Sequence, residues 1–118
     1  MNALSLVPVL DQVPASYRNE EELQSLLHAQ LIAAGIHSER EVRLSDGRSR
    51  IDILAGRIGI EVKVKGSLAD VRRQLSRYAA TGDIDELVLV TTRSAHHRIP
   101  PTIAGVPLVL CSLVGRVL

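Results

Sequence analysis

Apolar residues first fall into helical spacing between Ser16 and Ala34, where Leu23, Leu26, Leu27, Gln30, Leu31 and Ala34 share one stripe. The spacing predicts a helix there. Ser16 or Asn19 serves as its N-cap, Glu20, Glu21 and Glu22 sit at the positive end of its dipole, and Gly35 lies just past its end. The period then changes to two. Val42 and Leu44 alternate with charges over Glu39–Leu44, Ser45-Asp46-Gly47 reads as a hairpin turn, and Ile51 and Ile53 flank Asp52 over Arg50–Leu54. In a third alternating stretch, Ile58–Lys65, Ile60, Val62 and Val64 face one way and Glu61, Lys63 and Lys65 the other. Gly66 ends that strand. Ser67 caps a second helix over Leu68–Ala80, with Leu68, Val71, Leu75 and Tyr78 or Ala79 inward and Arg72, Arg73 and Arg77 outward. Glu86–Thr92 is a nearly continuous apolar run, the pattern of a buried parallel strand. Residues 93–105 read as loop with one helical turn at most, and Val106–Leu110 as a last strand. Residues 1–15 read as an extended lead-in, because Pro8 and Pro14 interrupt regular structure. The order α-β-β-β-α-β-β predicts an α/β fold with a mixed central sheet flanked by helices.

Composition bounds the function classes. The 118 residues, 46% hydrophobic and 23% charged, suit a single domain with a small core, 1–118. No apolar run approaches the roughly 20 residues of a membrane span, and the N-terminus lacks the basic start of a signal peptide. One Cys builds neither a disulfide framework nor a zinc cluster, so a cytoplasmic setting is expected. Two Tyr, with no Trp or Phe, are too few for a base-stacking platform.

The net charge of +1 conceals an uneven distribution. Residues 1–47 hold three Arg against seven acids, residues 48–77 hold eight Lys and Arg against three acids, and the remainder balances. A basic segment of this size is either a solvated face or an anion-binding one, and the acids within it favour the second. Glu61 and Lys63, two apart on one strand, project to the same face, and Asp52 on the preceding strand pairs beside Glu61. Carboxylates this close repel unless a cation joins them. An oxygen donor set with open positions suits Mg²⁺, with Mn²⁺ as a substitute, and a neighbouring Lys orients water and stabilises developing negative charge. These are the requirements of metal-assisted phosphodiester hydrolysis. The alternative is a surface ladder of paired charges.

The stretch RIDILAGRIGIEVKVKGSLADVRRQLSRYA resembles the core of the PD-(D/E)xK nuclease superfamily, the restriction-endonuclease-like αβββαβ fold. The resemblance covers about residues 20–92 in element order. It implies that Asp52 and Glu61 bind Mg²⁺, that Lys63 positions the attacking water, and that the Val62 carbonyl is a further metal ligand. Ile51 stands where the family pattern has Pro, a position that supplies no ligand. Gln74 and Tyr78, spaced Q-x-x-x-Y, resemble a motif of the lambda-exonuclease-like and recombination-nuclease branches, in which the Gln supports the site and the Tyr lies near it. Plain helix packing gives the same spacing. In junction-resolvase relatives a glutamate of the first helix completes the metal site. Glu20 lies nearest the apolar stripe and is the first candidate here, with Glu22 second.

Lys65, Arg72, Arg73 and Arg77, with Arg48 and Arg50 as additions, follow or flank this constellation and suit phosphate contacts with DNA; RNA stays open. Contacts of that kind position a backbone without reading bases, so the expected activity is structure-directed: a junction resolvase, a flap or repair nuclease, or a phage-type nuclease. The rival expectation is a non-catalytic nucleic-acid-binding or protein-interaction module on the same fold. His96 and His97 read as surface residues and Cys111 as core. The apolar 101–118 segment offers either a homodimer interface or the last strand of the monomer's own sheet.

Overall fold

The computed structural model describes residues 1–116; Val117 and Leu118, the end of the apolar segment just mentioned, lie outside the described residues. Helix α1 (Ala3–Leu10) is followed by α2 (Glu20–Ala33), then by strands β1 (Glu39–Arg43), β2 (Arg50–Ala55) and β3 (Ile58–Lys63). Helix α3 (Leu68–Ala80) crosses to β4 (Glu86–Thr91), and a 3₁₀ turn at Ser94–Arg98 leads to β5 (Thr102–Ile103) and β6 (Val106–Ser112). The strands form one six-stranded sheet in the order β1-β2-β3-β4-β6-β5. β1, β2 and β3 pair antiparallel, while β3, β4 and β6 run parallel. The sheet is therefore mixed and flanked by helices, as the hydrophobic pattern implied. None of the described helices is long and apolar enough to cross a membrane.

Residues 1–15 are not an extended lead-in, because Ala3–Leu10 is helical. Asn2 caps α1 by accepting the Ser5 N–H at 2.9 Å, and its own N–H donates to the Ser5 hydroxyl at 3.1 Å. Pro8 sits inside this helix. An interior Pro costs about 3 kcal/mol, but burying Leu6, Leu10 and Val13 returns about 1.5–3 kcal/mol per side chain, so the helix persists. α2 starts after Asn19, which accepts the Glu22 N–H at 2.8 Å, so of the two candidate caps it is Asn19 and not Ser16 that serves. β3 stops at Lys63, short of Lys65, and the two-residue β5 has no counterpart in the sequence pattern. The segment Val106–Ser112 lies between β4 and β5 inside the monomer's sheet.

Both faces of the sheet are apolar and covered by helices. α1 and α2 cover Ile53, Ile60, Val62, Val88, Val90 and Cys111, whose burial pushes the thiol up to about 11. α3 covers Ile51, Leu87, Leu89 and Leu108 on the opposite side. Gly59 permits the close approach there: a Cβ on it would meet Ile84, Ile51 and Leu87 carbons at 2.9–3.3 Å.

Ile51 and Ile53, two apart on β2, lie in opposite cores. A regular strand cannot do this, because its side chains alternate. The β1–β2 ladder skips Glu41 and Asp52, and Glu41 takes a left-handed φ of 54°. The hairpin bends at that step, and its tip folds onto the end of α3, where the Ser45 N–H meets Asp83 at 2.7 Å. β2 pairs with β3 only from Ile53 onward, so Asp52 stands where the two strands part.

Candidate active site

At this parting the carboxylates take the place of ladder hydrogen bonds. Asp52 Oδ2 accepts the Val62 N–H at 2.8 Å, and Glu61 Oε1 accepts the Asp52 N–H at 3.2 Å. Each acid is thus held by the backbone beside the other. Lys63, two residues beyond Glu61, places its Nζ 3.6 Å from Glu61 Oε2. Glu61 is only 1% exposed, and the Lys63 side chain is partly exposed at the rim.

Burial raises the pKa of Glu61 well above that of an ordinary carboxylate, and the neighbouring Asp52 charge adds to the rise against the opposing pull of Lys63. Asp52 is raised too, chiefly by burial and against the Val62 N–H. The pair therefore tends to retain a proton in the absence of a cation. Tyr78 bears on the same proton. Its hydroxyl lies 3.0 Å from Glu61 Oε2 and 3.1 Å from the Arg50 carbonyl, while Gln74 Nε2 donates to it at 2.6 Å. One phenolic proton serves only one of the two acceptors. When it goes to Arg50, a protonated Glu61 fills the remaining contact. Burial and the Glu61 charge hold the phenol itself protonated.

The structure therefore brings Asp52, Glu61, Lys63, Gln74 and Tyr78 together. Tyr78 is 1% exposed and belongs to the α3-side core, with its hydroxyl at Glu61. Val62 lies between the two acids with its side chain in the α1–α2 core. Of the helix glutamates, Glu20 reaches the strand: its Oε1 accepts the Val64 N–H just past β3 at 3.0 Å. Glu22 turns away to pair with Arg18 at 2.8 Å.

The basic residues divide. Lys65, Arg72, Arg73 and Arg77 are exposed, and Arg73 pairs with Asp70. At helical spacing Arg73 and Arg77 leave α3 on the flank next to Gln74, whereas Arg72 leaves on the far side of the buried stripe. Arg50 pairs with Glu41 at 3.1 Å. Arg48, in the β1–β2 turn, has no ion-pair partner among the described residues.

His96, which the sequence suggests is a surface residue, lies next to these residues through Gly66 and Thr91. It is fully buried rather than on the surface, whereas His97 is exposed. Its Nε2 meets the Gly66 carbonyl at 2.8 Å and its Nδ1 meets the Thr91 hydroxyl at 2.6 Å. A carbonyl only accepts, so Nε2 carries the proton, and the ring ties the turn after Lys63 to the end of β4. The one sequence signal was a polar Thr91 at the end of an otherwise apolar strand.

Asp52, Glu61 and the adjacent backbone form an all-oxygen donor set, which fits a hard cation such as Mg²⁺, an ion commonly held by one or two carboxylates plus water and phosphate. Among the described residues no three His, Cys, Asp or Glu side chains close around a single point. No protein-family model, curated protein or solved structure matches the chain, so the functional reading rests on its own geometry.

Proposed function

We propose that the chain is a Mg²⁺-dependent nuclease of the PD-(D/E)xK kind that hydrolyses DNA phosphodiester bonds according to the shape of the substrate rather than its sequence. The observation that carries this reading is the meeting of Asp52, Glu61 and Lys63 where β2 parts from β3. Asp52 and Glu61 would hold the cation, with the Val62 carbonyl as a further donor. When bound, Mg²⁺ supplies neutralisation of phosphate charge and a more acidic bound water. Lys63 orients the attacking water and stabilises negative charge that develops on the phosphoryl oxygens. Tyr78 and Gln74 fix the orientation of Glu61, and Glu20 steadies the end of β3 through the Val64 N–H.

The test is cleavage of labelled duplex, single-stranded, flap and four-way-junction DNA, and of RNA, with Mg²⁺, Mn²⁺ or EDTA, wild type beside Lys63→Ala. Metal-dependent cutting that the variant loses supports the reading. If no substrate is cut in either metal, the reading fails.

One observation favours a second reading, a non-catalytic nucleic-acid-binding module. Both Glu61 oxygens are already met by protein donors, an arrangement that also serves a purely structural buried acid.

A further inference from the structure

A cleft of about 330 Å³ lies between the β1–β2 turn and the last turn of α3, lined by Asp46 and Arg48 from the turn and by Arg77, Ala80 and Thr81 from the helix end. We propose that this cleft receives a backbone phosphate of the nucleic-acid strand as it leaves the carboxylate site; the proposal rests on the nuclease reading above. Four observations carry it.

Both guanidinium groups are unclaimed: Arg48 and Arg77 are exposed and appear in no ion pair among the described residues, unlike Arg50 and Arg73 nearby. A guanidinium fork matches phosphate geometry in two hydrogen bonds. The walls are also fixed in place. The Ser45 N–H binds Asp83 at 2.7 Å, the Ser45 hydroxyl reaches the Thr81 carbonyl at 3.4 Å, and the Thr81 hydroxyl returns to the Tyr78 carbonyl at 2.7 Å. A preformed cleft spares a ligand the cost of ordering it.

Asp46 lines the cleft itself and Asp83 stands nearby, and each is already engaged. Asp46 accepts the Arg48 N–H, the Ser49 N–H and the Ser49 hydroxyl at 2.6–2.9 Å, and Asp83 accepts from Ser45. The fourth observation is position. Arg77 precedes Tyr78, whose hydroxyl touches Glu61, and Arg48 lies two residues before Arg50, whose carbonyl meets the same hydroxyl. A strand held at the cleft therefore passes over Tyr78 to reach Asp52 and Glu61. It runs toward the hairpin tip and away from Arg72.

The experiment is fluorescence anisotropy of the intact protein with labelled duplex and single-stranded DNA. Runs in EDTA and in Ca²⁺ read binding without cleavage, over a series of KCl concentrations. Arg48→Ala and Arg77→Ala should each weaken binding about five- to tenfold at low salt and flatten the slope of log K against log salt by roughly 0.7–0.9. Arg98→Ala, at an exposed arginine of the 3₁₀ turn that no binding role involves, should change neither, and melting curves should overlay for all four proteins. Affinities and slopes unchanged in both cleft variants overturn the cleft while leaving wild-type cleavage to judge the nuclease reading separately. Failure of the wild type to bind either DNA overturns it as well. Displacement of DNA by inorganic phosphate at matched ionic strength would assign the cleft to a free anion, again against the proposal.

Discussion

Glu61 is a carboxyl group removed from water and set against a second acid, and its one cationic neighbour, Lys63, does not offset both effects. The sign of the resulting pH dependence follows from linkage. A carboxyl whose folded pKa is raised binds more protons in the folded than in the unfolded chain, so its contribution to stability is fullest below the ordinary value of 4.5 and is lost as pH rises through the raised one. In EDTA the melting temperature of wild type should therefore fall as pH climbs across that window. Glu61→Gln, which keeps the shape without the charge, should remove most of the slope; an equally steep variant would show that Glu61 is not the group responsible. In the proposed nuclease Lys63 would act on charge that develops only during reaction. Lys63→Ala should lower kcat about 10²–10³-fold while DNA binding in EDTA stays within about twofold of wild type. A loss confined to binding would make Lys63 a phosphate contact instead.

At the scale of elements, the bend at Glu41 and Asp52 is what turns two strands into a site. Glu41 occupies a left-handed φ that only glycine adopts without strain. Glu41→Val improves strand propensity on paper yet places a β-branched side chain at that φ. It should destabilise the fold by about 1–2 kcal/mol in urea unfolding, and a gain in stability would contradict the strained bend. Much of this arrangement was legible in the sequence. The alternation of Ile60, Val62 and Val64 with Glu61 and Lys63 located the acid–lysine face, and Ser67 marked the start of α3 correctly because local capping chemistry decides such boundaries. The departures came from tertiary packing. Pro8 and Pro14 suggest an extended start, yet the Asn2–Ser5 cap and the burial of Ala3, Leu6, Leu10 and Val13, which the prolines obscure, form α1. His96 looked like a loop residue because nothing local announces that Gly66 and Thr91 converge on its ring. The Arg50 carbonyl as a partner of Tyr78 depends on the bend, which alternation alone cannot reveal.

For the molecule as a whole, the uneven charge acquires a geometry. The basic middle of the chain supplies β2, β3 and α3, and these three elements surround the carboxylate pair. A cation held there binds the folded chain and not the unfolded one, so it should stabilise the entire domain. At one hundred times its Kd, Mn²⁺ should add about 2.7 kcal/mol, roughly 10 °C in melting temperature, and Asp52→Asn should abolish the shift. The nuclease reading stands or falls on Asp52 and Glu61 together holding a divalent cation, and titration calorimetry of Mn²⁺ into the intact protein measures that binding. Wild type and Arg72→Ala should bind saturably, and Asp52→Asn and Glu61→Gln should show no detectable binding. Failure of wild type to bind Mn²⁺, or equal binding by all four proteins, would contradict it.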